Sequence, residues 1–285
     1  MKNIYTIVAV AVMGLAKTGT CLSQPYIDIV NTQFINSPEY GIINQNKNSG
    51  SLKHYSIGTT IPFQFRNKSD AIIVSPGYEV WSLTSASSGG DLKKQYSVVW
   101  PVSFLKTLSN PDWSILVTAI YRKNGYALSM KHNWQIGGAL LVNFKANENL
   151  RYKMGLYINK EFFGIFLMPL VGIDWQISKK TNLFGNLPGS LTIEHKLHKN
   201  IYSGASFRAI TNSYRLDTGY WRIDESRLGV FLDYYFSKNF VLNAEAGHSV
   251  FRKIRTGIKD KFRKDLMIND NSYFKLGLSY RIRFR

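Results

Sequence analysis

His54, His132, His195, His198 and His248 are the side chains of this 285-residue sequence best suited to acid–base work or metal ligation. A metal site needs ligands that converge, and these five sit in no helical histidine pair and no Cys/His framework. His195 and His198 are three apart, a spacing that on a strand sends them to opposite faces. No metal or cofactor is therefore expected. A lipid hydrolase would need a serine beside a histidine held by a third group. No such spacing surrounds any of the five, and His132 and His248 are the positions at which to test that reading. Ser88-Gly89-Gly90 is loop punctuation rather than a phosphate cradle. The sequence is read as non-enzymatic, with a membrane-embedded lipid hydrolase as the least favoured alternative.

Charge is the larger constellation. Lys and Arg total 36 against 18 acids, a net +18, and such a balance points to an anionic partner, either nucleic acid or a membrane surface. The densest run lies between Arg252 and Asp265 and holds Arg252, Lys253, Arg255, Lys259, Lys261, Arg263 and Lys264. In a soluble protein it would suggest nucleic acid. The pattern around it argues otherwise.

From about residue 26 the apolar positions recur with period two. In 272–285 Phe274, Leu276, Leu278, Tyr280, Ile282 and Phe284 oppose Lys275, Gly277, Ser279, Arg281, Arg283 and Arg285. The same alternation runs through 133–145, 150–159 and 228–236. Soluble strands average ~5–6 residues. These reach the ~9–11 tilted residues that cross a bilayer. Aromatics at the limits of the apolar faces (Trp113 and Tyr121, Trp134 and Phe144) match the two interfaces of a membrane. No apolar run approaches the ~18 residues of a spanning helix.

Short polar turns at 66–70, 109–112, 146–149, 178–182, 198–200 and 237–239 alternate with longer links near 36–52, 85–92, 123–132, 160–167, 216–221 and 253–271. Outer-membrane barrels alternate periplasmic turns and extracellular loops in this way. The expected fold is an all-β transmembrane antiparallel barrel of about 12 strands, at 26–35, 53–65, 71–84, 93–107, 112–122, 133–145, 150–160, 168–177, 200–215, 222–236, 239–252 and 272–285. Residues 183–197, with Leu187-Pro188-Gly189-Ser190, fall between two short turns. They form either a short hairpin, raising the count to about 14, or a plug-like segment in the lumen.

Ahead of the barrel, Lys2, an apolar stretch from Ile4 to Ala16, and small residues ending at Ser23 read as a secretory signal peptide. The expected organisation is therefore a leader over 1–23 and a barrel over 24–285. The single cysteine, Cys21, would leave with the leader, and no disulfide framework would remain.

Alternation assigns a lumen. It should contain Glu79, Asp174, Glu194, Asp233 and Glu245, together with Arg122, Lys145, Arg151, Lys153, Lys196, Arg208, Arg227, Lys275, Arg281 and Arg283. Basic residues exceed acids in this set, so it reads either as a pore favouring small anionic solutes or as a cross-linked, closed interior. Asp174 beside Trp175 is placed as a strut for the 183–197 segment. The Arg252–Asp265 run becomes an external loop facing lipopolysaccharide phosphates, and nucleic acid drops out as a partner.

Two features carry a resemblance. The carboxy-terminal strand with Phe284 looks like the last strand of Gram-negative outer-membrane barrels, whose terminal aromatic is recognised by the barrel-insertion machinery. Here Arg285 follows the aromatic. Leu170-Val171-Gly172-Ile173-Asp174-Trp175-Gln176-Ile177, Leu187-Pro188-Gly189-Ser190-Leu191 and Tyr214-Arg215-Leu216 resemble an uncharacterised family of such barrels, over about 50–285 and most specifically over 168–198. That resemblance implies an outer-membrane barrel set in lipid and lipopolysaccharide. It implies no activity and no catalytic residues.

Overall fold

The computed structural model describes residues 24–41, 49–67, 69–85, 94–258, 262–267 and 269–284. The expected leader, Lys259 and Lys261 lie outside them, as do the side chains of Arg263 and Lys264. Among the described residues the strand segments are β1 (Tyr26–Gly41), β2 (Ser49–Thr59), β3 (Ile61–Gln64), β4 (Ala71–Val74), β5 (Gly77–Ser85), β6 (Gln95–Thr107), β7 (Trp113–Gly125), β8 (Trp134–Asn147) and β9 (Leu150–Glu161). They continue as β10 (Gly164–Gln176), β11 (Thr181–Leu187), β12 (Ser190–His198), β13 (Ile201–Leu216), β14 (Gly219–Tyr235), β15 (Phe240–Ile258), β16 (Phe262–Met267) and β17 (Asn271–Arg283).

Each segment pairs antiparallel with its neighbours, and β1 pairs with β17 to close the ring. Three crossings are interrupted. β2 runs on into β3 and β4 into β5, and β15 pairs with both β16 and β17. The result is a closed 14-strand barrel, against the expected 12 or so. The additional pair is β11 and β12, which are seated in the wall between β10 and β13. Residues 183–197 are therefore a wall hairpin and not a lumen plug. Gly185 lets the hairpin close. Its φ is +147°, and a Cβ there would collide with the backbone of Ser190 and Leu191.

The alternating faces separate as the period-two pattern dictates. Trp134, Ile136, Leu140 and Phe144 of β8 are exposed on the outside, whereas Gln135, Leu141 and Asn143 are buried within. Met154 on β9, Ile165 on β10 and Val230 on β14 are 69%, 76% and 66% exposed. An apolar exterior this continuous is stable only against hydrocarbon. Aromatic contacts mark its limits, with Trp100 and Tyr121 rings 5.9 Å apart at one rim and Trp113 and Phe144 4.7 Å apart at the other. Trp134 and Phe144 are ten residues apart on one tilted strand, which spans about 26 Å of height, close to the ~25 Å apolar band of membrane barrels.

Turns on the side of the chain termini are short and locally bonded. At one of them, Asp70 accepts from Lys106 Nζ at 2.6 Å and from the Thr107 amide at 3.0 Å. Those donors hold its carboxyl down at about 2.

Candidate functional site

The interior is a polar network around a large void. A cavity of about 730 Å³ sits at mid-height, between a lid at the loop end and a floor at the turn end.

The floor is built from charge. Arg281 on β17 donates to Asp233 at 2.5 Å and to Asp28 at 2.6 Å, and lies 3.7 Å from the Tyr26 ring. Arg283 donates to Glu194 and to Tyr235 Oη, and stacks 3.9 Å from the Tyr202 ring. Guanidinium groups suit this position because they hydrogen-bond in their plane and stack on their faces.

The lid is built mainly from apolar packing. Leu52, Trp81, Leu83, Tyr214, Trp221, Ile223 and Ile254 form a buried cluster inside the barrel, contributed by β2, β5, β13, β14 and β15. The outer half of β13 crosses the lumen to reach it, and Arg215 even makes a parallel bridge to Gly125 of β7. Polar groups latch it there. Ser213 donates to Glu161 at 2.5 Å, Gln135 donates to both Ser213 and Glu161, and Asn124 donates to the Ser213 carbonyl at 2.9 Å. Glu79 accepts from Tyr214 at 2.8 Å and from Asn212 at 2.9 Å, and is 3.0 Å from His54, whose ring stacks on Trp81. At the hairpin tip the Tyr126 hydroxyl donates to Asp217, and that bond raises its pKa.

The short hairpin explains why β13 bends inward. Leu187 and Ser190 end β11 and β12 partway up the wall, so above them β13 has no partner on that side. Unpaired amides and carbonyls in hydrocarbon cost several kcal/mol each. Turning into the lumen supplies Asn124 and Gly125 in their place.

Each predicted position has a place. Lys153 and Asp174 are buried and bonded to each other at 2.6 Å. Asp174 thus ties β9 to β10 within the wall and is no strut to a plug. Lys275 pairs with Glu245, and Arg122 donates to Asn212 at 2.6 Å. Lys145 pairs with Glu148 at the turn end, and Lys196 lies 5.6 Å from the Tyr202 ring. Arg151 is half-buried on β9. Arg227 shares Glu225 with Arg252, at 2.6 and 2.7 Å. Arg208 is exposed to the cavity and makes no ion pair among the described residues. The basic-run expectation needs correction. β15 extends to Ile258, so Arg252 is buried at 1% exposure, bonded to Glu225 and Ser37, and faces the interior. Arg255 is on the same strand, 3.6 Å from Asp224, and Lys253 is half-buried. The acids Asp28, Glu161 and Glu225 were not among the predicted lumen groups. Glu161 shares the strand parity of Lys153, and Glu225 that of Arg227, which is the signal that locates those two, whereas Asp28 is located only by its register with Arg281. His132 and His248 are exposed, and His248 meets Ser272 only as its register partner in the β15–β17 ladder.

A family model matches residues 20–281, nearly the whole barrel. The chain belongs to the family described as Domain of unknown function (DUF6268). Comparison with curated protein sequences finds no match for this member. Solved structures to which it is similar include the COG4313 outer membrane channel from Pseudomonas putida F1, at 8% identity and a TM-score of 0.49, covering 90% of this chain and 96% of that one. The NanC porin matches at 8% identity and a TM-score of 0.40, covering 89% and 100%. The TodX monoaromatic hydrocarbon channel, as its deltaS2S3 mutant, matches at 10% identity and a TM-score of 0.39, covering 95% and 94%.

Proposed function

We propose that this protein is an integral outer-membrane β-barrel that passes a small solute through a narrow, internally gated lumen. One observation carries the reading: a cavity of about 730 Å³, lined by charged and polar as well as apolar side chains, lies inside a barrel whose membrane-facing exterior is apolar. A barrel that only filled space would pack its interior. Among the described residues the cavity wall holds paired charges and Arg208, which has no ion-pair partner there, so the selectivity expected is weakly anionic. Outer-membrane lipid surrounds the barrel in this reading, lipopolysaccharide phosphates meet its outer rim, and the insertion machinery handles the final strand.

Planar-bilayer recording on purified protein tests it. Small, infrequent channel events with a modest preference for chloride over potassium are expected. Silence at every salt concentration, in wild type and in a lid variant such as Trp81→Ala, rejects the channel.

A second reading is a surface-interaction barrel with a permanently closed lumen. The apolar lid favours it, because seven buried side chains close the outer mouth. Recording separates the two: channel events in wild type reject the closed scaffold, and silence in both wild type and Trp81→Ala supports it.

A further inference from the structure

The wall of this barrel is incomplete on one side, and the geometry points to that gap as a lateral entrance through which small amphiphiles carrying one negative charge pass between membrane hydrocarbon and the cavity. This inference deepens the channel reading and rests on it.

The gap follows from strand register. β10 pairs with β11 only from Val171 to Gln176, so residues 164–170 have β9 on one side and no strand on the other. β12 pairs with β13 only as far as Arg208, and the last rung is the Ala209 amide bonded to the Gly189 carbonyl at 2.9 Å. Above that rung β13 keeps β14 and leans into the lumen, where Ser213 and Arg215 meet Asn124 and Gly125 of β7. The opening has a frame. Its sill is the Pro188-Gly189 turn. Its lintel is the contact of the β9–β10 turn with the β13–β14 hairpin, where the Phe162 amide donates to Ser213 Oγ at 3.0 Å and Arg222 lies 3.9 Å from the Phe163 ring.

Magnitudes place it in the membrane. Seven residues of β11 at ~3.3 Å each, tilted by ~40°, raise the sill roughly 18 Å above the turn end, inside a ~25 Å apolar band. Three inter-strand spacings of ~4.8 Å make the sill about 14 Å wide. An alkyl chain or an aromatic ring fits through such a gap.

The cavity reaches the gap. Its lining includes Arg208, Ile210 and Asn212, which share one face of β13, and also Phe207, Ala209 and Thr211 from the opposite face. Ala209 to Asn212 lie at or above the last rung to β12, so the void borders the part of β13 that has no wall partner on that side. Met168 of β10 stands on the opposite jamb and also lines the cavity.

Side-chain chemistry selects the ligand. Apolar side chains line both jambs, Met168 on β10 and Ala209 and Ile210 on β13. Immediately inside is Arg208, exposed to the cavity and without an ion pair among the described residues, while Lys275, Arg227 and Arg281 are already matched by Glu245, Glu225 and Asp233. A single unmatched cation behind an apolar doorway suits a monoanion with a hydrocarbon tail. Volume agrees, because cavities of 300–1,000 Å³ accommodate ligands of that size.

Two measurements test this, and neither depends on ion conductance. In the first, bimane is attached to Met168→Cys or to Gln33→Cys in a Cys21→Ser background, and the protein is placed in bilayers of brominated-acyl lipid. Both sites line the cavity, but Gln33 belongs to the unbroken wall of β1. Quenching at residue 168 at least threefold stronger than at residue 33 is expected, and equal quenching overturns the entrance. In the second, dodecanoate, dodecanol and acetate are titrated into wild type, Arg208→Gln and Ala209→Trp in nanodiscs. Dodecanoate should bind tightest, lose tenfold or more with Arg208→Gln, and associate at least tenfold more slowly with Ala209→Trp. Acetate binding as well as dodecanoate, or dodecanoate binding unaltered by Arg208→Gln, overturns the ligand class. Met168→Trp repeats the blockade from the other jamb if Ala209→Trp does not insert. Failure of both tests alongside clear channel events removes the lateral route and leaves the channel reading standing.

Discussion

The two ends of the lumen are closed by different physics. At the turn end, Arg281 and Arg283 are fixed between acids and tyrosine rings, on strands that have neighbours on both sides. At the loop end, an apolar cluster is held by a strand that has lost its wall partner and bends across the opening. Directional, charge-assisted contacts resist small displacements, because a shift of an ångström forfeits them. Apolar contacts are non-directional and tolerate sliding. The floor is therefore built as a fixed base and the lid as the part that yields.

Removing Glu225 should have the largest effect and blur that contrast. It would leave Arg227 and Arg252 buried without their carboxylate, at a cost of about 3–5 kcal/mol. Glu225→Ala should fold poorly, as read by heat-modifiable gel mobility and by urea unfolding in bilayers. Replacing Trp81 attacks the lid alone. Trp81→Ala should cost about 3–5 kcal/mol in the same assay while raising single-channel conductance and open time. The stability loss with no change in conductance would show that the lid does not gate.

Glu194→Gln is the matching change at the floor. It weakens the grip on Arg283 while keeping a hydrogen-bond acceptor, so a loss of about 1–3 kcal/mol is expected, with little change in open probability. If it opened the pore as Trp81→Ala does, the distinction between base and lid would fail. The smallest effect belongs to Asp70, outside both ends. Its folded carboxyl titrates at about 2, below the ordinary 3.8, so its contribution is complete above pH 4 and disappears as the pH falls through about 2. Asp70→Asn should therefore lower the unfolding midpoint at pH 6 and match wild type near pH 2.

The crossings read from sequence were those with uninterrupted alternation. β8, β9 and β17 show their faces residue by residue, because a wall strand has lipid on one side and polar groups on the other. The hairpin of β11 and β12 was visible as a parity problem, but its location in the wall depended on registers with β10 and β13 that no local pattern encodes. Glu161 was hidden because it ends a strand whose boundary had been drawn one residue short. Arg252 was misplaced for a related reason. Charge density suggested a loop, yet β15 continues past it, and a charge facing inward on a barrel strand needs only a partner, which Glu225 supplies. Lumen membership of the other cations followed from parity, while their pairing followed from contacts between strands far apart in sequence, such as Arg283 with Glu194.

The hairpin that stops short also makes the barrel adjustable by length. Residues 164–170 of β10 and the residues of β13 just above Ala209 have no strand between them at the Pro188-Gly189 turn, so residues inserted there would meet β10 at once and β13 before it turns into the lumen. The height of the doorway would then change in steps of two residues, one added to each arm. A change of length at this turn would thus alter what crosses the wall with no substitution in the lumen.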